Sequence, residues 1–110
     1  YATGASAAPG SDSGGFVGHA QVANAATITL NQAYATGAVT GASTAGFSVS
    51  ASATTNDCYY DSTTTGQGAD GATATGLLTA AMKNSASYPV SWDFATIWTI
   101  VNGVTYPTLR

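Results

Sequence analysis

The 110-residue chain has no Glu, one Cys, one Lys, one Arg and one His, and each shortage removes a class of function. Binding a nucleic-acid backbone takes several Lys or Arg to displace counterions. Lys83 and Arg110 are the whole supply, so no nucleic-acid partner is expected. There is no run of about 20 apolar residues to cross a bilayer and no basic amphipathic helix to lie on one, so no membrane insertion is expected. The start, Tyr1-Ala2-Thr3-Gly4, lacks the basic end and apolar run of a signal peptide, and any targeting segment is expected to have been removed or to lie upstream. Cys58 alone cannot close an internal disulfide, and without a second Cys it does not suggest a zinc site. Bulk is scarce too. Leu, Ile, Val and Phe number 17, below the roughly 20% at which a chain begins to look disordered, yet a net charge of −3 lacks the high charge that accompanies disorder.

What the chain has instead is small side chains: Ala, Thr, Gly and Ser occupy 64 of 110 positions. Such a chain builds a core most readily by stacking short similar units, and an internal repeat is present. Tyr1-Ala2-Thr3-Gly4 recurs as Tyr34-Ala35-Thr36-Gly37, Gly15-Phe16-Val17 matches Gly46-Phe47-Ser48-Val49, and Asn31-Gln32-Ala33-Tyr34 matches Asn56-Asp57-Cys58-Tyr59. Ala26-Thr27-Ile28-Thr29-Leu30 and Phe47-Ser48-Val49-Ser50-Ala51 alternate in the manner of half-buried strands. Gly14-Gly15, Gly37, Gly41 and Gly46 are read as the turns between strands. The expected fold is all-β: a β-solenoid of stacked, parallel, β-helix-like coils over residues 1–60.

The rest of the same domain reads differently. Residues 61–76 contain no apolar side chain larger than Ala and are expected to form an exposed Thr/Gly-rich loop. Residues 77–110 are expected to plug the end of the stack. Thr79 caps a short helix over Ala80 to Asn84, with Leu78 and Met82 on one face, and Pro89 blocks anything longer. The Asn102-Gly103 pair between Thr96–Val101 and Val104–Tyr106 predicts a β-hairpin with a two-residue turn. Both Trp residues lie in this stretch, as a plug that covers the last coil requires.

Gly15-Phe16-Val17-Gly18 and Ala33-Tyr34-Ala35-Thr36-Gly37-Ala38-Val39 resemble the GLUG repeat of large secreted bacterial adhesins of the filamentous-haemagglutinin type. Cys58-Tyr59-Tyr60-Asp61, Thr64-Thr65-Gly66-Gln67, Thr75-Gly76-Leu77-Leu78-Thr79-Ala80-Ala81-Met82, Trp92-Asp93-Phe94, Trp98 and Gly103-Val104-Thr105-Tyr106-Pro107-Thr108-Leu109 are similar to the segment that closes such arrays. The second unit departs in reading Gly46-Phe47-Ser48-Val49, and Tyr60 stands where a Trp is expected. The resemblance implies an extracellular or cell-surface bacterial protein with adhesion as its role, and it brings no catalytic residues or cofactors.

Catalysis needs an acid, base or nucleophile tuned by its neighbours, and candidates are few. His19 is expected to be a surface or hydrogen-bonded structural residue. Cys58, a nucleophile only if His19 lies beside it, is expected to be a small buried hydrophobe in the place of Ala33. Asp57, Asp61 and Asp70 could gather oxygen ligands for Ca²⁺, but no regular Asp-x-Asp-x-Asp loop is present, and turn capping is the expectation. No carboxyl pair can be placed for glycosidase chemistry, and two cations are a poor supply for a polysaccharide lyase. Tyr59, Tyr60, Trp92 and Trp98 could stack on sugar rings. Both Trp are expected in the plug, and one of the adjacent Tyr59 and Tyr60 should face outward.

The function expected is that of a noncatalytic stalk or adhesion module. Its partners would be adjacent repeats of the chain, neighbouring copies, or host or matrix glycans. The alternatives are a self-assembling subunit of an extracellular filament and, third, a polysaccharide-active β-helix enzyme.

Overall fold

The computed structural model describes residues 1–21, 27–49 and 52–110. In chain order the elements are β1 (Ser6–Gly14), β2 (Ile28–Asn31), β3 (Tyr34–Ala35), β4 (Val39–Ala45), β5 (Ala53–Asn56), β6 (Tyr59–Asp61), α1 (Ser62–Thr65), β7 (Thr75–Leu77), α2 (Thr79–Met82), a 3-10 turn (Ser85–Ser87), β8 (Trp98–Thr99) and β9 (Thr108–Leu109). Ala26, Ser50 and Ala51, parts of the two expected strands, lie outside the described residues.

Residues matched by the repeat are partners in space. Asn31 pairs with Asn56 and Tyr34 with Tyr59 in parallel ladders, and isolated parallel bridges join Ala2 to Ala35 and Val17 to Ser48. A parallel in-register pair sets like side chains about 4.8 Å apart. Accordingly, Phe16 stacks on Phe47 with ring centroids 4.8 Å apart, and Tyr1 stacks on Tyr34 at 5.2 Å.

The expected solenoid does not form. The strands fall into four separate sheets, β1-β4, β2-β5, β3-β6-β7 and β8-β9, of two or three strands each, and among the described residues no sheet runs on through a stack of coils. The result is a small, mostly-β molecule. The physical reason is that the repeat supplies two units and ends near residue 60, so a ladder between the units has two strands and little to extend it. Asp61 caps the helical turn α1, its carboxylate accepting the Thr63 and Thr64 amides, and the parallel pairing resumes only for the three residues of β7. The stretch 61–76 is therefore not a uniformly exposed loop: it contains α1 and the start of β7, and Asp61 and Thr65 are buried. Gly41, expected in a turn, lies inside β4 opposite Ala8.

The C-terminal hairpin is a second correction. Thr96–Val101 does not pair with Val104–Tyr106; β8 instead pairs with β9 across a longer connection. The Asn102-Gly103 pair is taken by tertiary contacts, Gly103 N–H donating to the Lys83 carbonyl at 2.7 Å and Asn102 Oδ1 accepting from Ser85 N–H at 2.9 Å. In α2, Thr79 is the first helical residue and not the cap. Leu78 holds the cap position without a side-chain bond and is exposed, so it does not share a buried face with Met82.

Side-chain alternation along β3 and β6 divides the core in two. Tyr34 and Tyr59 enter a cluster with Met82, Tyr88, Trp92 and Trp98. Ala33, Ala35, Cys58 and Tyr60 point the other way and meet Phe47, with Phe16 and Leu30 against them. Both sides of the sheet are thus covered, and the expectation that one of Tyr59 and Tyr60 faces outward fails: both are buried. Tyr60 lies between Gly46 and Gly76. A Cβ on Gly46 would stand 2.1 Å from its ring, and one on Gly76 would stand 2.6 Å from its hydroxyl.

Candidate functional site

The strongest concentration of polar chemistry is centred on Asp61, fully buried at the end of β6. Its Oδ1 accepts from Thr63 N–H at 2.9 Å and Thr64 N–H at 3.1 Å. Its Oδ2 accepts from the Thr79 hydroxyl at 2.7 Å and the Tyr106 hydroxyl at 2.6 Å. Burial pushes the carboxyl up, but the Tyr106 and Thr79 hydroxyls and the Thr64 and Thr63 amides outweigh it and hold the group below the usual carboxylate range. Burial and the same carboxylate raise the Tyr106 phenol. An ionised carboxylate offers about four lone-pair sites, and four donors fill them. The group therefore has neither a proton to give nor a free site for a substrate.

The other acidic candidates are engaged elsewhere. Asp70 Oδ1 accepts from the amides of Phe47 and Ser48, and its Oδ2 from those of Ala72 and Ala74, closing its own turn onto the second repeat unit. Asp57 accepts the Ser91 hydroxyl at its carboxylate and Trp92 Nε1 at its carbonyl, tying that unit to the aromatic cluster. Asp57 and its repeat equivalent Gln32 are the two non-glycine residues with positive φ among the described residues, at 51° and 50°. Gln32 reaches the same segment, donating to the Ser91 carbonyl. Asp57, Asp61 and Asp70 are not brought together, and among the described residues no three His, Cys, Asp or Glu side chains are grouped to hold a metal.

Cys58 is buried, with its thiol directed at the Leu30 and Asn56 carbonyls. Desolvation raises its pKa, against smaller lowering by backbone hydrogen bonds, so the sulfur is held as a thiol and not as the nucleophilic thiolate. His19 is not its partner; His19 Nδ1 meets Asp12 Oδ2 at 2.8 Å on the exposed side of β1. Arg110 donates to the carbonyls of Trp98 and Phe94. The Lys83 ammonium lies over the Tyr106 ring, 5.0 Å from its centroid.

Trp92 and Trp98 are buried with ring centroids 4.6 Å apart. Neither they nor Tyr59 and Tyr60 present a face to solvent, and no pocket opens among the described residues. Thr79 and Tyr106, which complete the Asp61 cluster, were missed from the sequence. They lie 18 and 45 residues from Asp61, and no local pattern links them to it. Compared with known proteins, the chain matches no protein family, no curated protein and no solved structure.

Proposed function

We propose that the chain is a noncatalytic structural and adhesive segment of a secreted bacterial surface protein. The observation that carries this reading is how the acidic side chains are spent. Asp61 and Asp70 each accept four hydrogen bonds that close turns or join separate parts of the chain. The extracellular setting, and adjoining repeats or host or matrix glycans as partners, rest on the resemblance of residues 15–109 to GLUG-repeat adhesins. A surface with two cations and many Ser and Thr hydroxyls suits neutral hydrogen bonding to glycans better than capture of an acidic ligand.

The test combines turnover and retention. The purified chain is incubated with neutral and acidic polysaccharides and with a peptide mixture, and its binding is read on immobilised glycans and matrix proteins. No product and measurable retention are expected. Turnover that disappears in an Asp57→Asn variant of unchanged melting behaviour overturns the noncatalytic half, and failure to be retained on every surface overturns the adhesive half.

A second reading, a filament subunit completed by neighbouring copies, is favoured by one observation. Strands β1 and β2 each have a single strand neighbour among the described residues. It ranks second because Pro9 and the register break between Ala8 and Asp12 interrupt β1, features that blunt an edge against further pairing. Sedimentation showing concentration-dependent fibres would move it to first.

A further inference from the structure

The Asn102-Gly103 pair has no part in the proposed function, yet it carries a chemistry of its own. We propose that this bond is a site of spontaneous deamidation that the fold holds shut through two hydrogen bonds, and that modification follows separation of the turn from the segment 83–85.

Both residues are exposed, and Gly103 has a φ of 78°. With no side chain on Gly103, its backbone nitrogen can approach the Asn102 side chain unhindered. In the reaction that nitrogen attacks Asn102 Cγ: the N–Cγ bond forms, the Cγ–Nδ2 bond breaks, and ammonia leaves with the proton given up by the Gly103 amide. Water then adds to one of the two carbonyls of the cyclic imide. Opening on one side leaves aspartate; opening on the other leaves isoaspartate, in which the main chain runs through the former side-chain carbon. One water is consumed and one ammonia released, with no other reactant.

The fold restrains both reacting groups. The Gly103 N–H donates to the Lys83 carbonyl at 2.7 Å, which keeps the nucleophilic nitrogen protonated and engaged with another acceptor. The Ser85 N–H donates to Asn102 Oδ1 at 2.9 Å, which fixes the carbonyl to be attacked. Both restraining groups belong to the three residues between α2 and the middle of the 3-10 turn, so a single local separation releases both. Isoaspartate lengthens the main chain by one carbon within the turn, and the Gly103 N–H then no longer meets the Lys83 carbonyl. Once made, the modification keeps the turn open.

Ser85→Pro tests the gate. Ser85 is the first residue of the 3-10 turn, and Asn84 before it is extended at φ −130° and ψ 119°. These are positions that accept a proline and its predecessor, and the Ser85 carbonyl remains free to receive Tyr88 N–H. The substitution removes the donor to Asn102 alone. The full chain is incubated in mildly alkaline buffer, and aspartate and isoaspartate at position 102 are quantified by peptide mass spectrometry. The native parent is expected to react at least about tenfold more slowly than the same chain in guanidinium chloride. Ser85→Pro is expected to raise the native rate about two- to tenfold, the range one hydrogen bond carries. Amide hydrogen exchange at Gly103 of the unmodified parent supplies a readout that needs no variant, and protection is expected. A native rate equal to the denatured rate, free exchange at Gly103, or a folded Ser85→Pro variant that reacts no faster than the parent each overturns the proposal.

Discussion

Replacing Asp61 by Ala removes the one group that joins the end of β6, the cap of α1, the start of α2 and the C-terminal loop. Four donors lose their acceptor: the amides of Thr63 and Thr64 and the hydroxyls of Thr79 and Tyr106. Loss of the helix cap alone costs about 1 kcal/mol, and a hydrogen bond to a charged group contributes about 1.5–3 kcal/mol. These terms do not add, because the donors share one acceptor and the freed amides can reach water. Breaking a buried charged cluster sets the scale at about 3–5 kcal/mol, a large share of the roughly 5–15 kcal/mol that holds a domain. Asp61→Asn should cost less, since its carbonyl oxygen still accepts both amides and the hydroxyls can rotate to accept. Tyr106→Phe should cost about 1.5–3 kcal/mol and should cost distinctly less in the Asp61→Asn background, because the charge that strengthens the bond is already gone.

The same cluster fixes a pH dependence. The folded carboxyl lies below the usual carboxylate range, so the unfolded chain binds the proton more readily. The stability it contributes is complete above the unfolded pKa and is lost as pH falls through the folded one. Urea melts followed by Trp fluorescence should therefore show the parent weakening below about pH 4, with Asp61→Asn responding less steeply there. Asp61→Ala within about 0.5 kcal/mol of the parent at neutral pH, the ordinary range for a surface change, would refute the argument.

How far the sequence revealed this fold depends on whether the signal was local. Phe16 with Phe47 and Tyr34 with Tyr59 were legible because a repeat places equal side chains at equal positions, and in-register parallel pairing brings them together. The tier of β1 and β4 was less visible. Ser, Ala and Gly carry little strand preference, and what holds Gly41 in β4 is the neighbouring strand and not its own chemistry. The Asn-Gly pair misled for a related reason. Its turn is real, but the hydrogen bonds that Gly103 N–H donates to Lys83 and that Asn102 accepts from Ser85 compete with the ladder and win. The Asp61 cluster illustrates the limit more sharply. A buried carboxylate was not foreseen in a chain with two cations, and here hydroxyls and amides replace the missing charge.

Further substitutions probe the two halves of the core. Tyr60→Ala should cost about 3–5 kcal/mol, as for other buried aromatics. Gly46→Ala should cost about 1–3 kcal/mol through overpacking in the parent and much less when Tyr60 is already Ala, since the obstructing ring is gone; additive denaturant melts would contradict this contact. In the other cluster, Trp92 and Trp98 are both buried, but their ring nitrogens differ. Trp92 Nε1 donates to the Asp57 carbonyl at 2.9 Å, whereas Trp98 Nε1 is buried with no partner among the described residues. An unmade buried hydrogen bond costs about 1–3 kcal/mol, so Trp98→Phe removes a penalty as well as ring area. The two terms oppose, and its net effect should stay within about 1 kcal/mol, although Trp98→Ala, which removes the whole ring, should cost about 3–5 kcal/mol. Trp92→Phe loses ring area and also the hydrogen bond to the Asp57 carbonyl, so both terms destabilise. Parallel urea melts should therefore rank Trp92→Phe well below Trp98→Phe, and the reverse order would show that Trp98 Nε1 has found a partner in solution.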